Sequence, residues 1–376
     1  MKAFVAWRIL LDEKSRSALA IAGTFIAILL VFLQLGFYFS VPKGGWQFYN
    51  KMQFDLMLTS SAYISQGRSN AFPRRRIYQA MEAPGVETAT ALYQASADWI
   101  SQEGRRARTV FVMGFDPDKP VFDVPGIIAA RDLMRTRDTI LVDSSSRADL
   151  GPFQIGRPVE INRRSVTIGG IYDLGLGFLG LAVAVLSDQN FIRLFPDRGL
   201  EAVNLGLVKL KPDADPELVA AQLRRIIPPD TQVLTRDQLA DHEAAFWVSQ
   251  TSTGLVFGFG VIVAFIVGLV ILNQTLSSEI SRNLPEYATL KAMGYADRDI
   301  AGIVVCLALS IAAIAYVLAC LVAAALYAIV RQMTPMPIEM TGTRAGGVLV
   351  LVAVMSVGSA LFALRALRRA DPVDLF

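Results

Sequence analysis

Residues 17–42 read SALAIAGTFIAILLVFLQLGFYFSVP, and none of them is charged. A bilayer core about 30 Å thick takes about 20 apolar residues in helical form. Three further charge-free stretches are long enough: Ala244–Ser278, Ile300–Val330 and Ala345–Leu364. The first stretch stands alone, a long segment of mixed polarity follows, and the other three come close together. This spacing predicts a membrane α-helical fold with four transmembrane helices, arranged one plus three, and a large α+β domain outside the membrane between helices 1 and 2.

Working outward from the first stretch, the chain divides at expected boundaries. Residues 1–18 form a cytoplasmic amphipathic helix, with Phe4, Trp7 and Leu11 on one face and Lys2, Arg8 and Lys14 placed for lipid headgroups. Helix 1 takes 19–40 and the external domain with its stalk takes 41–247. Helix 2 takes 248–277, a cytoplasmic loop with a short helix 278–299, and helix 3 takes 300–330. A short external loop at 331–345, helix 4 at 346–364 and a cytoplasmic tail at 365–376 complete the chain. Helix 1 reads as a retained anchor, because its apolar run exceeds a signal peptide's core and no Ala-x-Ala-like site follows at Phe39–Gly45.

Orientation follows from the basic residues of the short segments. Lys2, Arg8, Lys14 and Arg16 precede helix 1; Arg282, Lys291 and Arg298 lie between helices 2 and 3; Arg365, Arg368 and Arg369 follow helix 4. Only Arg331 and Arg344 lie between helices 3 and 4. This places both termini in the cytoplasm and the large domain outside, in the inner (plasma) membrane of a cell. Hydrophobic residues make up 53% of the chain and the net charge is +3, too small to suggest nucleic-acid binding.

The external domain balances 24 Lys and Arg against 24 Asp and Glu over residues 43–247, as a folded, solvated domain does. Strands are expected at Phe54–Thr59 and Thr139–Asp143. Hairpins are expected around Glu103-Gly104 and Asn162-Arg163, with a short apolar run at Ala182–Leu186. A helix is expected over Pro73–Met81 with Pro73 in its first turn. Strand Val203–Leu210, helix Pro216–Ile227 and strand Gln232–Leu234 form a compact strand–helix–strand unit. One helical run is expected from Arg236 into helix 2, since no Pro occurs until Pro285. Arg74-Arg75-Arg76 reads as a solvated helix face.

Catalytic chemistry finds little support. His242 is the only histidine and reads as a surface residue on the stalk. It cannot join a multi-histidine metal site. Cys306 and Cys320 both lie in helix 3, roughly 21 Å apart along the axis, too far for a disulfide. No Gly-x-Ser-x-Gly elbow, calcium loop or P-loop occurs. No cofactor is expected, and neither is enzymatic activity. The four stretches also lack the ionisable groups that ion-coupled transport needs at membrane depth. Energy for any work must therefore come from another chain. Gly254 with Gly258, and Ala264 with Gly268, are small residues one turn apart that permit close helix approach, either among the four helices or between two copies.

The most specific local signal lies between helices 2 and 3. Pro285 suits a first helical position, Glu286 favours the N-terminal dipole, and Gly294 suits a left-handed C-cap. Asp297 is placed to cap the next helix. Tyr287, Leu290, Lys291 and Met293 line faces that could dock in a partner's groove, and so short a helix gains stability from one.

The run Glu286-Tyr-Ala-Thr-Leu-Lys-Ala-Met-Gly-Tyr295 resembles the coupling-helix signature of FtsX-like, MacB-type ABC transporter permeases. Arg365-Ala-Leu-Arg-Arg-Ala-Asp-Pro-Val-Asp374 is similar to that family's ending, and the one-plus-three layout matches. The wording of the coupling segment, without a fused ATPase, most resembles the DevC-type permeases of cyanobacterial exporters. The resemblance implies a homodimeric permease driven by a separate cytoplasmic ABC ATPase that contacts Glu286, Tyr287, Leu290, Lys291, Met293 and Gly294. It further implies a periplasmic membrane fusion protein, a TolC-like outer-membrane channel, and a lipid, glycolipid or other amphiphile as cargo, moved by mechanotransmission. The same superfamily also includes FtsX-like signalling subunits that activate a cell-wall hydrolase, and lipoprotein-releasing permeases. A membrane-anchored external enzyme is disfavoured by the missing catalytic sets.

Overall fold

The computed structural model describes residues 14–100, 107–146, 150–175, 183–282, 289, 293–334 and 336–367. The expected amphipathic face at Phe4, Trp7 and Leu11 lies outside these residues. So do the turn at Glu103-Gly104 and the tail beyond Leu367. The chain forms two compact units, one of residues 41–251 and one joining residues 1–40 to 252–376. The described chain opens with α1 (Lys14–Gln47), which continues through Pro42.

In chain order the external unit contains β1 (Leu56–Ser60), β2 (Phe72–Pro73), α2 (Arg75–Met81), β3 (Val86–Ile100), β4 (Ala107–Phe115), α3 (Pro125–Ala129), α4 (Arg131–Arg135) and β5 (Thr139–Asp143). It continues with β6 (Pro158–Ile161), β7 (Arg164–Tyr172), β8 (Val183–Ser187), α5 (Asp188–Leu194), β9 (Ala202–Val203), β10 (Leu205–Leu210), α6 (Pro216–Ile226), β11 (Thr231–Thr235) and α7 (Arg236–Ser249). Nine strands form one sheet in the order β11-β1-β10-β3-β4-β8-β5-β7-β6, and β6 also pairs with β3 through Trp99↔Ile161 and Ile100↔Glu160. That last pairing closes β3, β4, β8, β5, β7 and β6 into a six-stranded barrel.

The 15-residue β3 serves two lobes. Its first half pairs with β10 in a four-stranded antiparallel sheet, and its second half pairs with β4 as a stave of the barrel. The handover falls at Leu92, which pairs with Leu205 on one side and Phe115 on the other. Strand alternation fills the barrel: Ala95, Ala97 and Trp99, Val110 and Val112, Ile140 and Val142, Val159 and Ile161, Val166 and Ile168, and Ala184 and Leu186 belong to one buried cluster. The alternate residues Phe111, Met113, Leu141, Val183 and Val185 belong to a second cluster, shared with Phe48, Tyr49, Phe54, Met57 and Leu239.

Three local expectations are corrected in this unit. Pro73 sits in β2 opposite Ala202, and the helix starts at Arg75. The Arg74 amide is held by the Glu201 carbonyl at 2.8 Å, so the chain stays in register with β9 up to that point. Arg76 is buried rather than solvated. Its guanidinium donates Nε to Asp230 Oδ1 at 3.0 Å and Nη1 to Gln79 Oε1 at 2.9 Å, and Nη2 pairs with Asp230 Oδ2 at 2.5 Å. The single helical run from Arg236 is interrupted at Gln250 and Thr251. There the Ser249 and Thr251 hydroxyls each claim the carbonyl four residues back, on Ala245 and Trp247, both at 2.6 Å.

The second unit adds α8 (Ser252–Arg282), α9 (Asp297–Met333) and α10 (Gly342–Leu367). With α1 these are, among the described residues, the four helices long and apolar enough to cross a membrane. Ala312, Ala315, Ala319 and Ala323 give α9 a small-residue stripe, clustered with Ile28, Val31 and Phe32 of α1 and with Val348 and Val352 of α10. Gly36 leaves room for the Tyr327 ring, whose hydroxyl donates to the Phe32 carbonyl. The Arg344 guanidinium lies 5.7 Å from the centres of both the Phe39 and Tyr327 rings. Asp297 does not cap α9: it is already helical, and Ala296 takes the N-cap position with no side-chain hydrogen bond.

Candidate functional site

The external unit joins its two chain ends to each other at a neck. Residues 45–66, the last residues of α1 and the segment after it, arrive there, and α7 is the last helix before the chain leaves. A capping box starts α7, with the Thr235 hydroxyl accepting from the Gln238 amide and the Gln238 side chain accepting from the Thr235 amide. Arg236, the first helical residue, places its guanidinium 5.5 Å from the Trp46 ring centre and 4.7 Å from that of Phe54. It also donates to the Phe54 and Tyr49 carbonyls, both at 3.3 Å. Two turns on, Glu243 is fully buried. Its Oε1 accepts from the Tyr49 hydroxyl at 3.3 Å, the Gln66 amide at 3.0 Å and the Tyr63 hydroxyl. The two tyrosine hydroxyls lie 2.6 Å apart, so the single Tyr49 proton is shared between the Tyr63 oxygen and Oε1. A further turn on, the Trp247 indole occupies the space a side chain at Gly45 would need.

Burial raises the Glu243 carboxyl above its ordinary value, against the opposing effect of its hydrogen-bond donors. Burial and the adjacent carboxylate hold the Tyr49 and Tyr63 phenols well above 10, so both keep their protons and donate. His242 is exposed on α7, its ring 5.5 Å from that of Tyr63 and its Nε2 3.1 Å from the Ile64 carbonyl. Sequence reasoning missed Glu243. The available signal was its spacing: Leu239, Glu243 and Phe246 repeat at four and three residues along the buried face of α7.

Of the loop residues expected to meet an ATPase, Glu286, Tyr287, Leu290 and Lys291 lie outside the described residues. Met293 is 64% exposed, and its amide bonds to the Thr289 carbonyl at 3.0 Å, a helical bond. Gly294 follows at φ +92°, in the left-handed region expected of a helix C-cap.

The small residues of α8 face the same chain. Gly254 and Ala264 are buried, and Gly258 is half-buried near Tyr38 of α1. Gly268 lies against Met355 of α10 and against Ala27 and Val31 of α1. Leu255, Val256, Phe259, Ile262, Val263 and Ile266 on other faces of α8 are exposed. Among the described residues no group of three His, Cys, Asp or Glu side chains is placed to hold a metal ion.

Comparison with known proteins gives two family matches. The family described as MacB-like periplasmic core domain matches residues 17–226, more than half of the chain. The family described as FtsX-like permease C-terminal matches residues 258–372. No curated protein matches. Among solved structures, the periplasmic region of MacB from Actinobacillus actinomycetemcomitans aligns at 10% identity and a TM-score of 0.38, covering 51% of this chain and 94% of that one. The extracellular domain of YknZ, a noncanonic ABC-type transporter from Gram-positive bacteria, aligns at 13% identity and 0.33, covering 48% and 99%. A domain of a protein described as a permease from Porphyromonas gingivalis aligns at 18% identity and 0.34, covering 48% and 88%. The molecule is a multi-pass membrane protein. With a MacB-like periplasmic core domain over its first half and more, and an FtsX-like segment after it, the chain belongs to the MacB-type, FtsX-like ABC transporter permeases.

Proposed function

We propose that this chain is the non-catalytic membrane subunit of an ATP-driven exporter, in which a separate cytoplasmic ATPase pushes on the loop between α8 and α9 and the external domain does the mechanical work. The observation that carries the reading is the neck. Arg236, Glu243 and Trp247, spread over three turns of α7, hold it to the end of α1 and the segment that follows, so a displacement entering by either chain end loads the domain at one joint. The spans supply no alternative energy source, because residues 17–42, 244–278, 300–330 and 345–364 carry no charge.

The proposal extends to partners. MacB-type permeases generally work with an ABC ATPase and a membrane fusion protein, and here both are expected as separate chains. The finer reading is a DevC-like tripartite exporter, with a TolC-like outer-membrane channel and a lipid, glycolipid or other amphiphile as cargo. It would act as a homodimer in the inner membrane with both termini cytoplasmic. The outward apolar face of α8 meets membrane lipid in this arrangement.

The test is association and coupled activity with the ATPase co-purified from native membranes. Leu290→Asp puts a charge on the docking face, and Gly294→Pro forces φ near −65° where the chain needs +92°. Both are expected to lower ATPase binding at least tenfold and to abolish transport-coupled hydrolysis, with the permease still inserted. Unchanged binding and coupling in both variants would remove the loop from the mechanism.

A further inference from the structure

Glu243 is asymmetrically served. Three donors converge on Oε1, whereas Oε2 is buried with no hydrogen-bond partner among the described residues. An ionised carboxylate spreads its charge over both oxygens, so this arrangement leaves about half a charge buried against nothing. A neutral acid costs less: the carbonyl oxygen accepts the converging bonds, and Oε2 carries a neutral hydroxyl in place of a share of buried charge. The segments brought together are distant in sequence, with Tyr49 following α1, Tyr63 and Gln66 in the loop after β1, and Glu243 in α7. Their meeting point is the middle of the neck.

We propose that Glu243 is a positioning residue acting as a proton-operated catch: neutral, it holds Tyr49 and segment 63–66 on α7, and ionised, it lets that segment lift away. The inference starts from the neck geometry and stands whether or not the chain exports anything.

The charged and titratable groups around the catch are few. Tyr49 and Tyr63 face it from the two packed segments and stay protonated. His242 neighbours it on α7 but is turned to Ile64 and the Tyr63 ring. Arg236 lies two turns away, occupied by the Tyr49 and Phe54 carbonyls. The direction follows from linkage. Lifting the segment exposes the carboxyl to water and returns it to its ordinary value of 4.5, below its value in the closed neck. The closed neck therefore holds more protons. Closure is fully stabilised below the ordinary value and weakens as pH rises through the raised one.

Hydrogen exchange on the full chain in detergent micelles tests this. Peptides covering residues 60–66 and 237–247 are followed from pH 4 to 8 and corrected for intrinsic exchange. In the unaltered protein the opening constant should climb with pH above the carboxyl's ordinary value and level off at the raised one, by no more than tenfold per unit, the limit for one proton. Glu243→Gln keeps an acceptor for the three donors without the charge, so its profile should be flat and as protected as the unaltered protein at low pH. His242→Asn should keep the slope. Tyr63→Phe removes a donor that favours the ionised form in the closed neck, so it should extend the climb to higher pH even if Glu243→Gln fails to fold. A flat profile in the unaltered protein overturns the proposal. So does a Glu243→Gln profile that still climbs, or loss of the slope in His242→Asn.

Discussion

Arg76 illustrates what single residues withhold from the sequence. Three consecutive arginines on a helix point in directions about 100° apart, so one of Arg74, Arg75 and Arg76 could face inward, and nothing in the triplet says which. The structure turns Arg76 toward Asp230, just before β11, and leaves Arg74 5.8 Å from the Tyr78 ring centre. Asp230→Asn keeps the shape but leaves a buried guanidinium without its counter-charge. We expect a loss of about 2 kcal/mol, read by chemical unfolding of the external domain in the full chain. The Arg76 hydrogen bonds hold the Asp230 carboxyl below the ordinary 3.8. The pair's contribution is therefore complete above that value and disappears as pH falls through the lowered one, and Asp230→Asn should remove this acid sensitivity. Glu243 was missed as well: its place on the stripe of Leu239 and Phe246 was a signal, but one acid among apolar residues does not say that it is buried.

Elements with strong local chemistry were readable. The Asn162-Arg163 turn joins β6 and β7 with both residues at positive φ, +50° and +63°, as a tight two-residue hairpin requires. Arg163 is a poor residue for that position. Arg163→Gly should stabilise the domain by about 0.5–1 kcal/mol, visible as a raised melting temperature. The outer edge of β11 was not readable as protected. It pairs only with β1 among the described residues, yet the Arg224 guanidinium donates to its Val233 carbonyl at 3.0 and 2.9 Å, and the Gln238 side chain accepts from its Thr235 amide. Side chains from α6 and α7 thus blunt an edge that would otherwise recruit another strand. The break between α7 and α8 escaped the sequence because no Pro or Gly marks it. Two hydroxyl groups do the work instead.

At the scale of the whole molecule, the one-plus-three layout follows from charge-free length, the property a bilayer selects most strongly. Barrel closure was hidden, because the pairing of Trp99 with Ile161 joins residues far apart in sequence and leaves no local pattern. Which face of α8 packs was hidden too, since small residues serve contacts within and between chains equally well. Leu92, fully buried where β3 passes from one lobe to the other, offers a global test. Leu92→Pro removes a ladder donor at the handover and should raise hydrogen exchange in β1 and β7 together. Loosening of one lobe alone would mean that the two fold independently.

The shared strand also constrains how such a domain can be cut and inherited. A protease or a recombination event can separate two lobes only where the backbone between them is dispensable. Here that backbone is β3, and a break at its handover leaves each lobe with only a half-strand, no longer anchored in the other. Loops can lengthen, shorten or be exchanged around the barrel rim. The two lobes must be transmitted as one piece, and the external domain has no internal seam along which half of it could be lost or replaced.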